Sequence, residues 1–179
     1  MFTKELSLIK NQDIRDFTES ILKELPEYFF EIPASSTGKY HPAYAVCKGG
    51  LVQHTKAAVY IAYDLLYRND LYKNLQEKAD HILSALILHD GCKNGLQDSH
   101  YTKTEHPLIV SKLIKEKASN QKIAEYVTLL IETHMGQWNK DYKTGIVKLP
   151  TPVDETQNFV HLCDYLASRK FLEFNFSAV

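Results

Sequence analysis

An all-α fold, a single-domain helical bundle, is predicted by three observations. Only seven Gly interrupt 179 residues, alternating β-branched runs are scarce, and apolar residues recur at helical spacing wherever a segment is long enough to test. The first helix is expected from near Asp13, with Ile14, Phe17, Ile21 and Leu25 on one face, weakening near Pro26. The stretch from Glu31 to Gly50 carries two Pro, three Gly and Ser-Ser-Thr, and so reads as a loop long enough to be functional. A second helix follows Gly49-Gly50 with Leu51, Ala58, Ile61 and Leu65 as its stripe. A third, near Glu77 to His89, places Ile82, Ala85 and Leu86 inward, and both are expected to be amphipathic.

Gly91 and Gly95 end the third helix, and a polar connection with His100 leads to a helix from about Glu105 with Pro107 in its first turn. Ile109, Leu113 and Ile114 should face inward there. The next helix runs from about Asn120 to Met135 on Ile123, Val127, Leu130 and Ile131, with Gly136 suited to its stop. Asp141 to Pro152 reads as loop. The last helix is expected from Asp154, its N-cap candidate, to beyond Arg169, burying Phe159, Val160, Cys163 and Ala167. No repeat or linker divides residues 1–179; the motif-bearing core spans about 49–169, and 1–48 form an N-terminal helix and loop.

The chain is 44% hydrophobic and 24% charged, the balance of one soluble domain. At this length roughly two-thirds of the unfolded surface is buried on folding, so stability needs neither disulfides nor a structural metal. Any metal would serve chemistry. Lys and Arg number 21 against 22 Asp and Glu, for a net charge of −1, which excludes the broad basic face of duplex-DNA binders and leaves room only for a local basic cleft. Cys47, Cys92 and Cys163 are an odd set without a CxxC pair, as expected in a reducing compartment. The start MFTKELSLIK has no secretory stretch, and runs such as Ala85-Leu86-Ile87-Leu88 are too short to span a bilayer, so no membrane partner and a cytoplasmic location are expected. Oligomeric state is not encoded in any pattern found.

Certain polar residues fall inside the apolar stripes. His54 lies three after Leu51 and four before Ala58, so it should point inward. The same spacing applies to His89 with Leu86 and Ala85, to His134 with Ile131 and Leu130, and to Asp164 with Val160 and Ala167. One such His is ordinarily a core histidine with a single hydrogen-bond partner. Four helices with one inward polar group each ask for more. Burying a carboxylate such as Asp164 is costly, no Lys or Arg in the stripes is placed to pair with it, and a shared cation is the least costly compensation. Asp90, beside His89, adds a second carboxylate. Imidazole mixed with carboxylate suits Mn, Fe, Co, Ni or Zn better than Mg or Ca. Neither a zinc-finger nor an HExxH spacing is present.

His54, His89-Asp90, His106, His134 and Asp164 reproduce the H…HD…H…H…D order of the HD-domain metal-dependent phosphohydrolase superfamily, over about Gly49 to Arg169. The words GGLVQHT, LILHDGCK, His-Pro at His106, THMGQW and CDYLASR strengthen the resemblance. Within the superfamily the chain is most similar to HD domains of 3′→5′ exoribonuclease-like proteins and to small stand-alone bacterial or phage HD proteins. The resemblance implies that His54, His89, Asp90 and Asp164 hold a first divalent metal, that Asp90 bridges to a second, and that His106 and His134 serve the second. Several dinuclear relatives carry a further His where this chain has Met135, which weakens the second site. Lys93 matches the Lys of an HDxxK pattern and would neutralise substrate phosphate, although here the Gly comes at position 91. His41, in YHPAY, resembles a His-containing stretch that precedes the GGLxxHT motif in exonuclease-like relatives, with a longer spacing to Gly49 here, and is a candidate substrate contact, as Arg169 is for a phosphate.

The reaction implied is hydrolysis of a phosphomonoester or phosphodiester in a nucleotide or short oligonucleotide, by water that one or two metal ions activate, with Asp90 and Lys93 as catalytic groups. A cyclic-nucleotide phosphodiesterase is a second enzymatic option, without the GYP motif of the cyclic-di-GMP group. The alternative from another class is a non-catalytic nucleotide-binding or regulatory protein whose metal is structural. Cys92 lacks a base and reads as packing. Trp138 and Tyr40 read as packing residues with stacking as the lesser role, and His81, His100 and His161 as structural or exposed.

Overall fold

The computed structural model describes residues 1–35, 38–141 and 143–170, and among them every regular element is helical. Seven α-helices run in the order α1 (Thr3–Ser7), α2 (Gln12–Leu22), α3 (Gly50–Tyr67), α4 (Ala79–Leu88), α5 (His106–Lys117), α6 (Gln121–Glu132) and α7 (Glu155–Ala167). Short 3₁₀ turns occupy Glu27–Phe30, Ala43–Ala45 and Lys73–Lys78. No helix among the described residues is long and apolar enough to cross a membrane. The all-α expectation holds.

The helix starts follow side-chain chemistry. Asn11, Asn120 and Asp154 each accept a hydrogen bond from the backbone N–H three residues on, at 3.2, 3.2 and 2.8 Å, and so satisfy donors that the first turns of α2, α6 and α7 leave over. Pro107 stands in the first turn of α5. The predicted faces of α2, α6 and α7 are all buried.

Helix α4 departs from expectation. From Ile82 to Leu88 every residue is buried, so the helix is not amphipathic but central, packed by α2, α3, α6 and α7. Its cover includes a buried hydroxyl pair, Thr18 Oγ1 to Ser84 Oγ at 2.7 Å, joining α2 to α4. On α3 the stripe turns as the helix proceeds. Leu51 and Ala58 are buried as expected, but Ala62 and Leu66 take the inner positions while Ile61 and Leu65 lie half-buried. On α5, Val110 and Ile114 are innermost, and Ile109 and Leu113 pack at the margin of the core. The last helix ends at Ala167, short of Arg169, because Ser168 leaves the helical backbone at ψ 1° and the Arg169 N–H reaches only the Leu166 carbonyl three residues back.

Helix α1 was not predicted; five residues are too few to display a period. It is fixed by Glu5, fully buried, whose Oε1 accepts from Tyr60 at 2.7 Å and faces Lys56 at 3.7 Å on α3. The segment between α2 and α3 folds tightly against the start of α3. A Cβ on Gly50 would lie 2.3 Å from the Ala45 carbonyl oxygen, so only Gly permits this approach, which sets His41 near α3.

Candidate metal centre

Four helix ends and one helix interior deliver the centre. His54 comes from the first half of α3, His89 and Asp90 from the C-terminus of α4, His106 from the first residue of α5, His134 from the turn after α6, and Asp164 from the last turn of α7. The C-termini of α4, α6 and α7 present the negative ends of their backbone dipoles, which favours a cation. His54, His89, Asp90, His106 and His134 are each no more than 2% exposed.

Their ligand atoms converge in three overlapping groups, His54–His89–Asp90, His89–His134–Asp164 and Asp90–His106–His134. Around Asp90 Oδ2 and Asp164 Oδ1, His54 Nε2 lies 3.7 and 2.9 Å away and His89 Nε2 lies 3.5 and 3.4 Å away. Around Asp90 Oδ1, His106 Nε2 lies at 3.0 Å and His134 Nε2 at 3.9 Å. Donors about 2.1 Å from one cation stand about 3.0 Å apart at right angles and about 3.4 Å apart at a tetrahedral angle. Most of these spacings match that geometry, and one carboxylate turns an oxygen toward each group.

The proton positions follow from hydrogen bonds made on the outer side of three rings. Nδ1 of His89 donates to the Leu86 carbonyl at 2.7 Å, that of His106 to Lys103 at 2.7 Å, and that of His134 to Ile131 at 2.8 Å. Each acceptor is three residues back, and for His89 and His134 it belongs to the last turn of a helix, where carbonyls are left over. With Nδ1 carrying the proton, each neutral ring turns a bare Nε2 lone pair inward. Nε2 of His89 is buried without a hydrogen-bond partner. Nε2 of His106 and His134 face each other at 3.3 Å, two acceptors in contact. A cation between such lone pairs resolves the contact. His54 is the exception, since its Nδ1 has no outer partner.

Electrostatics agree with a site waiting for positive charge. Burial opposes charge on Asp90, but Lys93, His89 and His106 outweigh it and hold the carboxyl well below its usual range. Burial acts the same way on Asp164, and the hydrogen bond with His54 together with the neighbouring His89 outweighs it there. Burial and the neighbouring His89 push His134 down to about 3, so it stays a neutral donor of electrons. His89 is also disfavoured by burial as a cation, yet Asp90 and Asp164 raise it above its ordinary value. The donor set therefore fits a divalent metal ion. His106, which could have been a water-exposed helix start, is buried at 1%.

Lys93 Nζ sits 2.5 Å from Asp90 Oδ2 with 13% of its side chain exposed, and Asp164 is 18% exposed, so the centre opens on that side. His41 packs its ring 5.5 Å from that of His54, and its Nδ1 has no partner. Burial, with His54 and Lys93 nearby, pushes His41 down to about 3. Arg169 is not brought to the ligand cluster. Its guanidinium lies over Tyr165 and Tyr40 and is hydrogen-bonded to Ser168. Trp138 and Tyr40, read as packing residues, pack on Tyr165 and on Arg169 respectively and remain 45% and 54% exposed. Cys92 is buried as expected, and burial pushes its thiol up to about 12. His100 is exposed beside Asp98, and His81 packs on Tyr126.

One residue read as structural or exposed has a specific supporting role. His161, one turn before Asp164 on α7, donates from Nδ1 to the His134 carbonyl at 2.6 Å and so braces the turn that carries His134. Gly136 belongs to the same fit: its φ is +55°, and a Cβ there would lie 2.4 Å from the His161 ring. The spacing from His161 to Asp164 was the available signal. A surface cavity of about 700 Å³ between α2, α4 and α6 contains none of the centre's residues; a cleft of about 190 Å³ includes Lys93. Comparison with protein-family models, with curated proteins and with solved structures gave no match.

Proposed function

We propose that the protein is a metal-dependent phosphohydrolase of the HD type, holding two divalent transition-metal ions and cleaving a phosphomonoester or phosphodiester in a nucleotide or short oligonucleotide. The observation that carries this reading is a single carboxylate, Asp90, that turns one oxygen to each of two histidine groups and has a lysine ammonium at its open edge. His54, His89, Asp90 and Asp164 would hold one ion, and Asp90, His106 and His134 the other. Mn, Fe, Co, Ni or Zn suits this nitrogen-rich set better than Mg. Bound there, a divalent ion supplies Lewis acidity and a water acidified toward neutral pH.

The chain's own groups do the rest. Lys93, partly open to solvent, lies where an anionic phosphoryl group must enter, and its ammonium offsets charge that grows on phosphoryl oxygens. Asp90 keeps that ammonium in place. His41, neutral and beside His54, borders the same opening, and its unpartnered Nδ1 offers a hydrogen-bonding position to substrate. The net charge of −1 favours small or single-stranded substrates over long duplexes.

The test is turnover by protein purified without chelator and supplied with Mn, on an aryl phosphate, an aryl phosphodiester, nucleotides and short RNA. Wild type should release product and Asp90→Ala should not, with Asp90→Asn included as a variant that preserves shape. Equal product from wild type and Asp90→Ala on every substrate overturns the enzyme reading in favour of a regulatory metal protein.

A further inference from the structure

Beside the proposed centre, three loops and helix ends place aromatic rings in one band. Tyr40 directly precedes His41, Trp138 lies four after His134, and Tyr165 directly follows Asp164. Trp138 stacks on Tyr165 with ring centres 5.6 Å apart and planes 14° from parallel. The Arg169 guanidinium lies 4.4 Å from the Tyr165 centroid and 5.7 Å from that of Tyr40, joining the two. Tyr40 and Tyr165 neighbour His41 and Asp164 in sequence, and Trp138 packs on His161, which bonds to the His134 carbonyl, so the band is carried by the same segments as the centre.

Its exposure is what needs explaining. A tryptophan that served only packing would cover its faces, whereas Trp138 leaves 45% of its surface to water and Tyr40 leaves 54%. Arg169 has no carboxylate partner among the described residues, and its positive charge stands on the same band. Exposed aromatic faces interleaved with a guanidinium are the composition of single-strand nucleic-acid platforms, where bases stack and cations meet the backbone. The turn that carries Trp138 is also held by His161, which bonds to the His134 carbonyl and packs 5.8 Å from the Trp138 ring. The platform is thus built on the support of the metal ligands.

We propose that Trp138, Tyr165, Arg169 and Tyr40 form a base-stacking shelf that selects substrates carrying an unpaired nucleobase next to the reacting phosphate. This rests on the phosphohydrolase reading of the centre. It makes Trp138 and Tyr40 specificity residues: they touch the base and leave the chemistry at phosphorus to the centre.

Trp138 is the sole tryptophan of the chain, so its fluorescence reports the shelf directly. Metal-loaded protein is titrated with AMP, with a tetra-adenylate and with ribose 5-phosphate, recording emission on mixing before turnover accumulates. AMP and the tetra-adenylate should quench, and ribose 5-phosphate should not. In parallel, Trp138→Ala and Tyr40→Ala should each raise KM for the tetra-adenylate by roughly five- to a hundredfold, the range of one lost stack, and by more than either raises it for ribose 5-phosphate. Equal emission changes with all three ligands, or an unchanged KM in both variants, overturns the shelf while leaving metal-dependent turnover intact. Base-selective quenching without turnover on any substrate would keep the shelf and overturn the enzyme.

Discussion

The two sides of the candidate metal centre both face Asp90, His89, His134 and Asp164 group across them, and in most other respects the sides differ. The His54–His89–Asp164 half draws a second carboxylate from α7 and stands between three packed helices, and its donors crowd within 3.7 Å of one another where they face Asp90 and Asp164. The His106–His134 half has no carboxylate of its own and relies on Asp90 Oδ1 and two imidazoles, with residue 135 a Met. Outer support runs the other way. Both rings of the poorer half are fixed through Nδ1 to carbonyls, and the turn of His134 is braced again by His161, whereas His54 in the richer half has no outer partner. The first side is thus richer in carboxylate charge with one of its two rings fixed from outside, His89 on Leu86, and the second has both rings fixed.

The severest way to break this comparison is to remove what the halves share. Asp90→Asn should empty both positions, seen as metal content falling from two equivalents to none, and turnover should drop by more than the 10- to 100-fold that loss of an outer ligand contact costs. Retention of one full equivalent would mean that the halves are independent. Next come substitutions in one half. Asp164→Asn should release the tightly held ion and lower the melting temperature of the metal-loaded protein by about 5–10 °C, as expected when a ligand present at roughly a hundred times its Kd is lost. His106→Ala should release only the weaker equivalent, with a smaller thermal shift. A graded chelator titration of wild type should show two steps, the weaker half emptying first, and a single step would contradict the ranking.

The smallest effect is on the metal-free protein as pH falls. His134 and His41 are held down to about 3 by burial, below the ordinary value of 6.5. Each therefore contributes stability that is present above about pH 6.5 and is lost as pH falls toward 3. Asp90 and Asp164, also held down, lose theirs below their ordinary 3.8. His89, raised, works in the opposite sense and loses its contribution as pH climbs through its folded value. Urea midpoints should accordingly rise from about pH 4 to about pH 6.5, and a flat or falling profile would contradict the neutral state assigned to His134.

Much of the centre was legible because helical period is a geometric rule. His54, His89, His134 and Asp164 occupy inward positions of their stripes, and the inward direction depends only on the 3.6-residue repeat. The same rule fails where a pattern has no contrast. The run from Ile82 to Leu88 is apolar almost throughout, so periodicity could not say that α4 is covered on all sides, and α1 is too short to have a period. How far Trp138 and Tyr40 face water was not legible for a related reason: a large apolar ring in a loop says nothing about which face meets water until the neighbouring elements are placed.

What the sequence determined by itself is local: seven Gly and helical spacing give an all-helical chain, Asn and Asp start its helices, and each inward polar side chain is aimed by its own backbone. Tertiary structure decided the rest. That His106 and His134, 28 residues apart, meet at 3.3 Å, that Asp90 splits its oxygens between two groups, and that Tyr165, Arg169 and Tyr40 join in one band are distances between elements. Those distances are set by how α4 is enclosed, a many-body packing outcome that no periodicity along one chain segment encodes.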